Sequence, residues 1–489
     1  MKRGASFGFL AMVAVGLAAG FAGAQSAPTV CRGLTNCDAE ALVKRVQALE
    51  ETNKALVQRV EELEKHLENR PEPAPAVQSP PANTAPPPAP ENKEQTLRSY
   101  WDNGLRFETD DGQFRLKVGG RVMFDAAHFS VPDYWSLGGP DIDEHDGTEF
   151  RRLRLRFAGD IYESYVYKLE VDFADGDAEI IDAYVGMKDL PYVGTVRVGQ
   201  FSEPFGLEAL TSSSFVTFME RSMATQALIP YRSRGAIFNN AYLDQRLTVS
   251  AGVFNGGIDQ NSYWSVTGRV TGLPWYEDEG RRLLHLGLSV SRRNPEGDYG
   301  FYARPGSHLA NDHLNTGELP ANAVTLWGAE AAMVWGPFSV QGEFMRADVS
   351  FKPEHRDVTF LGLDPSFRMR ERHFDGFYVQ AGWFLTGEHR VYDPATGAFE
   401  RVIPRGSFSL HGGGWGAWEL AARYDMLSLD DYDVVGGVVG GKGRNVTVGV
   451  NWYMTPNVRL MLNYVRSDID QFTYEGAIDI IEARFQTDF

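Results

Sequence analysis

The sequence predicts an all-β protein, a 16-stranded antiparallel transmembrane β-barrel preceded by a short α-helical coiled coil and a Pro-rich linker. Three observations support this prediction. Residues 100–489 contain many strands with period-two alternation, an export signal begins the chain, and the last strand is amphipathic and ends in Phe489. Strict alternation is typical of a β-strand whose two faces meet different surroundings, because successive side chains point to opposite sides.

The N-terminal segment, residues 1–24, has the features of a secretory signal peptide. Lys2 and Arg3 precede an apolar run over residues 7–21, and AGA at 22–24 fits a small-residue cleavage site. No later stretch has the 18 or more uninterrupted apolar residues of a membrane helix. We therefore expect an exported protein that can span a membrane only as a β-barrel.

The two cysteines of the chain, Cys31 and Cys37, lie in a short segment at residues 25–38. An exported protein meets an oxidising compartment, which favours a disulfide between them. Metal binding is the weaker alternative, since no further cysteine or histidine cluster completes a zinc ligand set.

Residues 39–70 carry an apolar seam whose steps of three and four residues predict a coiled coil of about four heptads. Leucine at the d positions and valine or asparagine at most a positions, with Asn53 as the lone asparagine, favour two-stranded self-association. The tract PEPAPAVQSPPANTAPPPAP begins at Pro71, stops the helix and predicts an extended linker over residues 71–99. The barrel is expected over residues 100–489.

The stretch RRLRLRF, residues 151–157, shows the alternation most clearly. One face of the strand carries arginines and the other carries apolar side chains. The arginines are Arg152, Arg154 and Arg156, and the apolar residues are Leu153, Leu155 and Phe157. A soluble sandwich would bury its apolar faces in one core, whereas a transmembrane barrel turns them to lipid and its polar faces to a wet lumen.

The length of the strand-rich region agrees with a barrel. With strands of about 10 residues, short turns and longer loops, residues 100–489 suit roughly 16 strands, and a barrel of that size encloses an aqueous channel. The final strand alternates from Ile481 to Phe489. A terminal phenylalanine of this kind resembles the signal that outer-membrane barrels present to their assembly machinery.

Composition and motifs argue against several other functions. The net charge of −18 is unsuited to nucleic-acid binding, because phosphate contacts need a basic surface. The ten histidines are scattered, and neither G-x-S-x-G nor H-E-x-x-H occurs. GGVVGGKG at 436–443 lacks the Ser or Thr of a phosphate loop and lies between two predicted strands. We expect no enzyme activity, no cofactor and no metal site.

Several ordered segments resemble the phosphate-selective porin O/P family over nearly all of residues 100–489. They are FRLKVGGR at 114–121, FRRLRLRFAGDIY at 150–162, YKLEVDFADG at 167–176, DAYVG at 182–186, VGQFSEPFGLEALTSSSFVTFMER at 198–221, GAWELAARYD at 416–425 and GVNWYMTPNVRLMLNYV at 449–465. The resemblance implies a trimeric, 16-stranded outer-membrane pore whose inward-folded loops narrow the channel and which passes anions.

The resemblance also implies roles for residues at the matching positions. The basic residues expected to line the pore are Arg121, Arg151, Arg152 and Arg221, together with Lys117, which shares the polar strand face of Arg121. The acidic residues are Asp182 and Glu220, and the hydroxyl-bearing residues of the constriction loop are Thr211, Ser212 and Ser213. Guanidinium and hydroxyl donors can replace part of the hydration shell of an anion.

The sequence departs from the family pattern at two places. Phosphate-specific members have a lysine in the constriction loop that contacts the central phosphate, and here Ala209 stands at the aligned position. The arginine-rich inward loop is represented by Arg304 alone, within FYARPGSHLAND at 301–312. The resemblance therefore favours an anion-preferring porin over strict phosphate specificity.

The orientation of some arginines has more than one interpretation. Arg151 has the parity of Leu153 and would point outward on a regular strand, so a bulge or the rim of the strand must turn it inward. Arg154 and Arg156 could instead pair with acids of the wall and stiffen the barrel. The candidate acids are Asp172, Glu419 and Asp425.

The expected function is passage of small hydrophilic solutes across the outer membrane of a Gram-negative bacterium, with a preference for anions such as phosphate. The alternatives are a general or weakly selective diffusion porin and, in another class, a structural protein that tethers the envelope. Expected partners are outer-membrane lipid, small anionic solutes, further copies of the chain, and the cell wall through a periplasmic coiled coil. The heptad seam favours a dimer, but three barrels would impose their own symmetry, and we expect a homotrimer.

Overall fold

The computed structural model describes residues 96–136, 144–174, 176–256, 264–352, 371–432 and 437–489. The chain divides into two compact units, residues 1–92 and 93–489, and the described residues belong to the second. The predicted signal peptide, the cysteine loop, the coiled coil and most of the linker lie outside the described residues. The first strand begins at Leu97, so the sheet starts slightly before residue 100.

The described residues are almost entirely antiparallel strand. The strands are β1 Leu97–Trp101, β2 Leu105–Thr109, β3 Phe114–Ser136, β4 Gly147–Ile161, β5 Tyr165–Asp172, β6 Glu179–Leu190, β7 Gly194–Ser202, β8 Arg232–Tyr242, β9 Leu247–Asn255, β10 Trp264–Glu277, β11 Arg282–Arg293, β12 Tyr302–Ala303, β13 Leu314–Asn315, β14 Ala321–Trp335, β15 Phe338–Phe351, β16 Arg372–Phe384, β17 Tyr392–Asp393, β18 Ala398–Phe399, β19 Ala417–Asp431, β20 Val438–Thr455, β21 Val458–Asp470 and β22 Tyr474–Asp488. The helical elements are α1 Leu207–Leu210, α2 Met223–Ala227 and a 3-10 turn at Asp278–Gly280. None of the helices in these ranges is long and apolar enough to span a bilayer.

Sixteen strands close into a barrel, as the sequence predicts. They are β3 to β11, β14 to β16 and β19 to β22, and each pairs antiparallel with the next. The last strand pairs with the first along Tyr474–Asp488 and Arg121–Ser136, which closes the sheet. The short ladders β12–β13 and β17–β18 lie in connections between barrel strands.

The β1–β2 hairpin and the C terminus meet at the seam between β22 and β3. β2 pairs with β3 just below the point where β22 ends, and Phe489 exchanges backbone hydrogen bonds of 2.8 and 2.9 Å with Gly120. A Cβ on Gly119 would lie 2.4 Å from the Phe489 carbonyl oxygen, and one on Gly120 would lie 2.6 Å from the Arg154 carbonyl oxygen. The two glycines of GGR are therefore required by the close approach of these backbones.

The two faces of the sheet have the predicted chemistry. On β20, Val446 and Val448 point outward and are 49% and 46% exposed, whereas Thr447 and Asn451 point inward and are buried. The same alternation occurs on β19 and β21. The outer surface is therefore apolar and suited to lipid, and the polar side chains face the interior.

Three connections fold into the barrel and position the site. The constriction loop, residues 203–231, joins β7 to β8, and the outer loop, residues 294–320, joins β11 to β14. The inner connection, residues 385–416, joins β16 to β19 at the opposite end of the barrel. That end also holds Phe489 and short turns such as residues 162–164, which is the periplasmic end of an outer-membrane barrel.

Candidate functional site

A β-bulge on β4 turns Arg151 into the lumen. Phe124 of β3 pairs with Phe150, and the residue before Phe124 pairs with Arg152, so Arg151 has no partner in the ladder. The Arg151 guanidinium donates hydrogen bonds of 2.8 and 3.1 Å to the two carboxylate oxygens of Glu220. The bulge thus places two consecutive arginines on the lumen side of one strand, which a regular strand cannot do.

A cavity of about 590 Å³, the lower cavity, lies on the periplasmic side of the constriction loop. Nine cationic and four acidic side chains line it, so its local charge is positive although the chain carries −18. The cations are Lys117, Arg121, Arg152, Arg154, Arg156, Lys168, Arg221, Arg232 and Arg401, and the acids are Glu170, Asp182, Glu400 and Asp488.

A second cavity of about 330 Å³, the upper cavity, lies between the constriction loop and the outer loop. Its charged lining consists of Arg151, Arg152, Arg221, Arg232, Arg304, Glu203, Glu220 and Asp312, with His308 beside them. Five residues line both cavities and define what we call the junction: Arg152, Ser202, Ala209, Arg221 and Arg232. A solute that crosses the barrel by this route passes these five side chains.

Arg121 connects the barrel wall to the hydroxyl groups of the constriction loop. Its guanidinium donates to the Ser213 hydroxyl at 2.7 Å, to the Ser212 hydroxyl at 3.4 Å and to Glu170 at 3.1 Å. Both serines line the lower cavity. The Thr211 hydroxyl, in contrast, donates to the backbone of α1 at 2.8 Å and is buried, so it does not serve as a free donor to the lumen.

Several lumen cations are matched by carboxylates. Asp182 accepts from Lys168 at 2.6 Å and from Arg232 at 2.9 Å. Arg154 pairs with Asp172 at 2.6 Å, which fits the structural interpretation of that arginine. Arg304 in the upper cavity pairs with Asp312 at 2.9 Å. Of the other acids suggested as partners, Asp425 pairs with Arg423 at 3.2 Å, and Glu419 accepts from Asn451 and Tyr453.

Glu220 and Arg221 shape the loop at the junction. Burial alone would raise the pKa of Glu220, but the guanidinium groups of Arg151 and Arg484 outweigh burial and hold the pKa well below its usual range. Arg221 donates to the backbone carbonyls of Glu208, Ala209 and Thr211 at 2.9 to 3.3 Å. Its partners are neutral carbonyl groups, so its charge still acts on the lumen.

Arg152 differs from the paired arginines. Its side chain is 8% exposed, yet it makes no hydrogen bond or ion pair with any described residue, and its Nε is buried without an acceptor. Such a group is costly unless a ligand or water supplies the missing acceptor. Lys117 and Arg156 also lack a carboxylate partner among the described residues. Arg152 is therefore the strongest candidate for direct contact with an anion.

Some pore-lining residues are absent from the sequence prediction. Lys168, Arg232, Glu400 and Arg401 all line the lower cavity. Lys168 has the inward parity of Glu170 on β5 and could have been found from alternation. Arg401 and Glu400 lie on the inner connection, where no strand periodicity exists, and only the folding of that connection into the barrel places them there.

The comparisons with known proteins agree with the barrel. The family described as "Phosphate-selective porin O and P" matches residues 116–489. The chain belongs to this family. It is therefore an outer-membrane porin, and the family and the barrel indicate a channel.

Among the described residues, no group of three or more His, Cys, Asp or Glu side chains is arranged to hold a metal ion.

Individual relatives of this porin cover most of its length. An uncharacterized protein of Caulobacter vibrioides is 30% identical over 453 residues, which span 85% of this chain and 83% of that protein. Porin O of Pseudomonas aeruginosa is 27% identical over 411 residues, or 77% of this chain and 88% of that protein. A solved anion-selective porin from Comamonas acidovorans, at 13% identity and a TM-score of 0.47, covers 77% of this chain and all of that one (100%).

Proposed function

We propose that this porin is a passive pore for small hydrophilic solutes that prefers anions, phosphate among them. The observation that carries the proposal is the excess of cations in the lower cavity, nine against four acids. A narrow, low-dielectric passage with an excess of one charge attracts counter-ions and excludes solutes of like charge. The binding must stay weak enough for release, as expected when neighbouring acids compete for the same cations.

The pore-lining set of the proposal is the one that the sequence predicts, with different tasks for its members. Arg152 and Arg221 lie at the junction and would contact the solute directly. Arg121 would act with the Ser212 and Ser213 hydroxyls just below the junction. Lys117 would add a further positive charge to the lower cavity. The remaining residues position the loops or balance the charge of the donors; they are Arg151, Asp182, Thr211, Glu220 and Arg304.

A second candidate is an anion-preferring pore without phosphate specificity. Ala209 favours it, because this residue lines both cavities at the junction and supplies no donor. Phosphate binds most tightly where several charged donors converge on it. Block of chloride current by phosphate and by sulfate separates the two candidates. In a phosphate-specific pore the half-blocking concentration of phosphate is lower than that of sulfate, and in a pore without this specificity the two concentrations are similar.

The low wall on one side of the barrel supports assembly into a homotrimer. β5 has 8 residues, and a strand of that length tilted by about 40° spans roughly 20 Å, less than the ~25 Å apolar band of an outer-membrane barrel. Exposed apolar side chains such as Val185 and Val198 lie on the neighbouring strands. Contact with another copy would cover this wall. Chemical cross-linking in the membrane should give trimers. Dimers would instead support the two-stranded association that the heptad seam predicts.

Reversal potentials in a potassium chloride gradient across a planar bilayer test the anion preference. We expect the reversal potential to have the sign of the chloride equilibrium potential. Arg152→Gln should shift it toward zero, because the variant lacks a positive charge that has no carboxylate partner among the described residues. Arg444→Gln is the matched control, since Arg444 shares the outward face of β20 with Val446. A cation preference of the unaltered protein would overturn the proposal.

A further inference from the structure

Two tyrosine side chains line the upper cavity and are open to solvent. Tyr231 is 53% and Tyr302 is 50% exposed. Tyr231 is the last residue of the constriction loop, and Tyr302 lies in the short ladder β12–β13 of the outer loop. An aromatic ring with an open face in a wet cavity offers an apolar surface on which another ring can stack.

Gln226 fixes the relative position of the two loops that carry these tyrosines. Its side-chain oxygen accepts from the Arg304 backbone N–H at 3.1 Å, and its side-chain nitrogen donates to the Arg221 carbonyl at 3.0 Å. The Tyr231 hydroxyl donates to the backbone carbonyl of Gln226. One residue thus holds the outer loop, a junction arginine and one tyrosine together, and a solute would not have to order them on binding.

The acids of the upper cavity are already paired, so a bound anion would not face a free carboxylate. Glu203 accepts from Arg293 at 2.8 Å, and Glu220 and Asp312 accept from Arg151 and Arg304. Arg152, at the junction with the lower cavity, has no such partner among the described residues. The positive charge of Arg152 therefore lies where the upper cavity joins the lower one, and Tyr231 and Tyr302 line the same upper cavity.

The volume of the upper cavity fits an organic solute better than an inorganic ion. About 330 Å³ is available, which lies at the lower end of the range of about 300 to 1,000 Å³ for small-molecule sites. A phosphate ion alone would contact the donors and leave the tyrosine faces in water. A solute that carries both a ring and an anionic group could contact both.

We infer that the upper cavity is a binding site for organic anions with a flat ring, of which aromatic carboxylates are the simplest class. The carboxylate contacts Arg152 and Arg221, and the ring stacks against Tyr231 and Tyr302. This inference rests on the proposed anion pathway and adds the solute class that the pore retains longest. It predicts that the ring, and not charge alone, determines the affinity of carboxylates.

Block of chloride current through single pores tests the inference. Benzoate should reach half-block at a concentration about 25-fold lower than acetate, because stacking on each of the two tyrosine rings contributes about fivefold. Benzamide, which has the ring without the charge, should not block. Block should also require less benzoate from the extracellular side of the pore than from the periplasmic side. A solute from the periplasmic side must cross the junction before it reaches the tyrosines.

Substitutions of the tyrosines identify the site. Tyr231→Ala and, independently, Tyr302→Ala should each raise the half-blocking benzoate concentration about fivefold and leave block by acetate unchanged. Tyr231→Phe keeps the ring and should retain benzoate block. Tyr192→Ala is the control, because Tyr192 is 91% exposed in the turn between β6 and β7 and lines neither cavity.

The outcomes separate this inference from the proposed function. If the unaltered pore prefers chloride over potassium but benzoate and acetate block equally, the ring site is wrong and the anion pathway stands. If benzoate block is unchanged in both alanine variants, the tyrosines are not the site. If the unaltered pore prefers cations, the anion pathway itself is overturned.

Discussion

The junction contains one buried arginine, Arg152, whose side chain has no acceptor among the described residues, and one alanine, Ala209, that offers no donor. Arg152 is surrounded by the charges of Arg151 and Arg154, and the nearest compensation comes from Glu220, which is shared with other cations. An anion that reaches Arg152 supplies the missing acceptor and relieves this repulsion. Ala209, beside it, sets an upper limit on how tightly the anion is held.

A lysine at the junction should strengthen phosphate binding. Ala209→Lys adds one charged donor where the two cavities meet, and one charge-assisted hydrogen bond should lower the half-blocking phosphate concentration about tenfold. Ala209→Met, of similar length but without charge, should not lower it. Phosphate block of chloride current measures both. An equal response of the two variants would mean that bulk, and not charge, changes the pore.

Glu400 should make the anion preference depend on pH. Desolvation, assisted by Asp393, raises the pKa of Glu400, although Arg401 and Arg156 oppose the shift. As the pH falls, this carboxylate becomes protonated at a higher pH than an ordinary glutamate does. Its negative charge is then lost, and the lower cavity becomes more positive. The chloride-to-potassium permeability ratio should therefore rise on acidification. Glu400→Gln should show the higher ratio already at neutral pH, and an unaltered pH response in this variant would point to another group.

The constriction loop is held in place by cations of the barrel wall. Arg459 donates to the carbonyls of Val216 and Thr217 at 2.7 and 3.0 Å, and Arg484 donates to the Met219 carbonyl at 2.6 Å. These bonds satisfy backbone groups of an irregular segment inside the barrel, where a loop without partners would be costly. The wall thus fixes the loop by its backbone and leaves loop side chains such as Ser213 to face the lumen.

Loss of one anchor should loosen the loop without opening the barrel. Arg459→Met keeps length and removes both hydrogen bonds, and each bond from a charged donor contributes about 1.5 to 3 kcal/mol. We expect larger fluctuations of the open-channel current, with unchanged migration of the folded barrel on semi-native gels. Arg444→Met, on the outward face of β20, is the control. Quiet currents in Arg459→Met would show that the loop needs no such anchor.

The whole molecule is an inverted arrangement, apolar outside and polar inside. The net charge of −18 and the positive lower cavity are compatible because they belong to different surfaces. Selectivity follows the local field in the passage, and the total charge of the chain has little influence on it. The outward apolar face in turn requires lipid, which fixes the molecule in the membrane.

A charge placed on the outward face should test this orientation. Leu462 and Asp470 share the outward face of β21, the first within the apolar band and the second near the rim. Leu462→Arg should lower the free energy of unfolding in lipid vesicles by about 2 to 4 kcal/mol, and Asp470→Arg by at most about 1 kcal/mol. Urea titration followed by tryptophan fluorescence measures both values. Equal values would contradict a lipid-facing Leu462.

Alternation in the sequence determined the strands, the lipid-facing and lumen-facing side of each strand, and the approximate number of strands in the barrel. Arg152 and Arg154 could be assigned to the lumen from their parity alone, because a strand offers only two faces and the apolar face must meet lipid. Arg151 broke this parity, and the sequence left a bulge or the rim of the strand as explanations; the bulge is present opposite Phe124. The family motifs added the loop residues around Ser213, which period-two alternation cannot place.

Only the tertiary structure decided which arginines are free and which are neutralised. Arg154 and Arg152 are two residues apart on one strand face, yet one is paired with Asp172 and the other has no partner among the described residues. The difference arises because the acids that pair with some of the arginines come from other strands and from a loop distant in sequence. The tyrosines of the upper cavity and Arg401 of the inner connection likewise line the lumen only because their connections fold into the barrel. Local pattern fixes the face on which a side chain lies, but its electrostatic partners depend on how the connections fold back into the barrel.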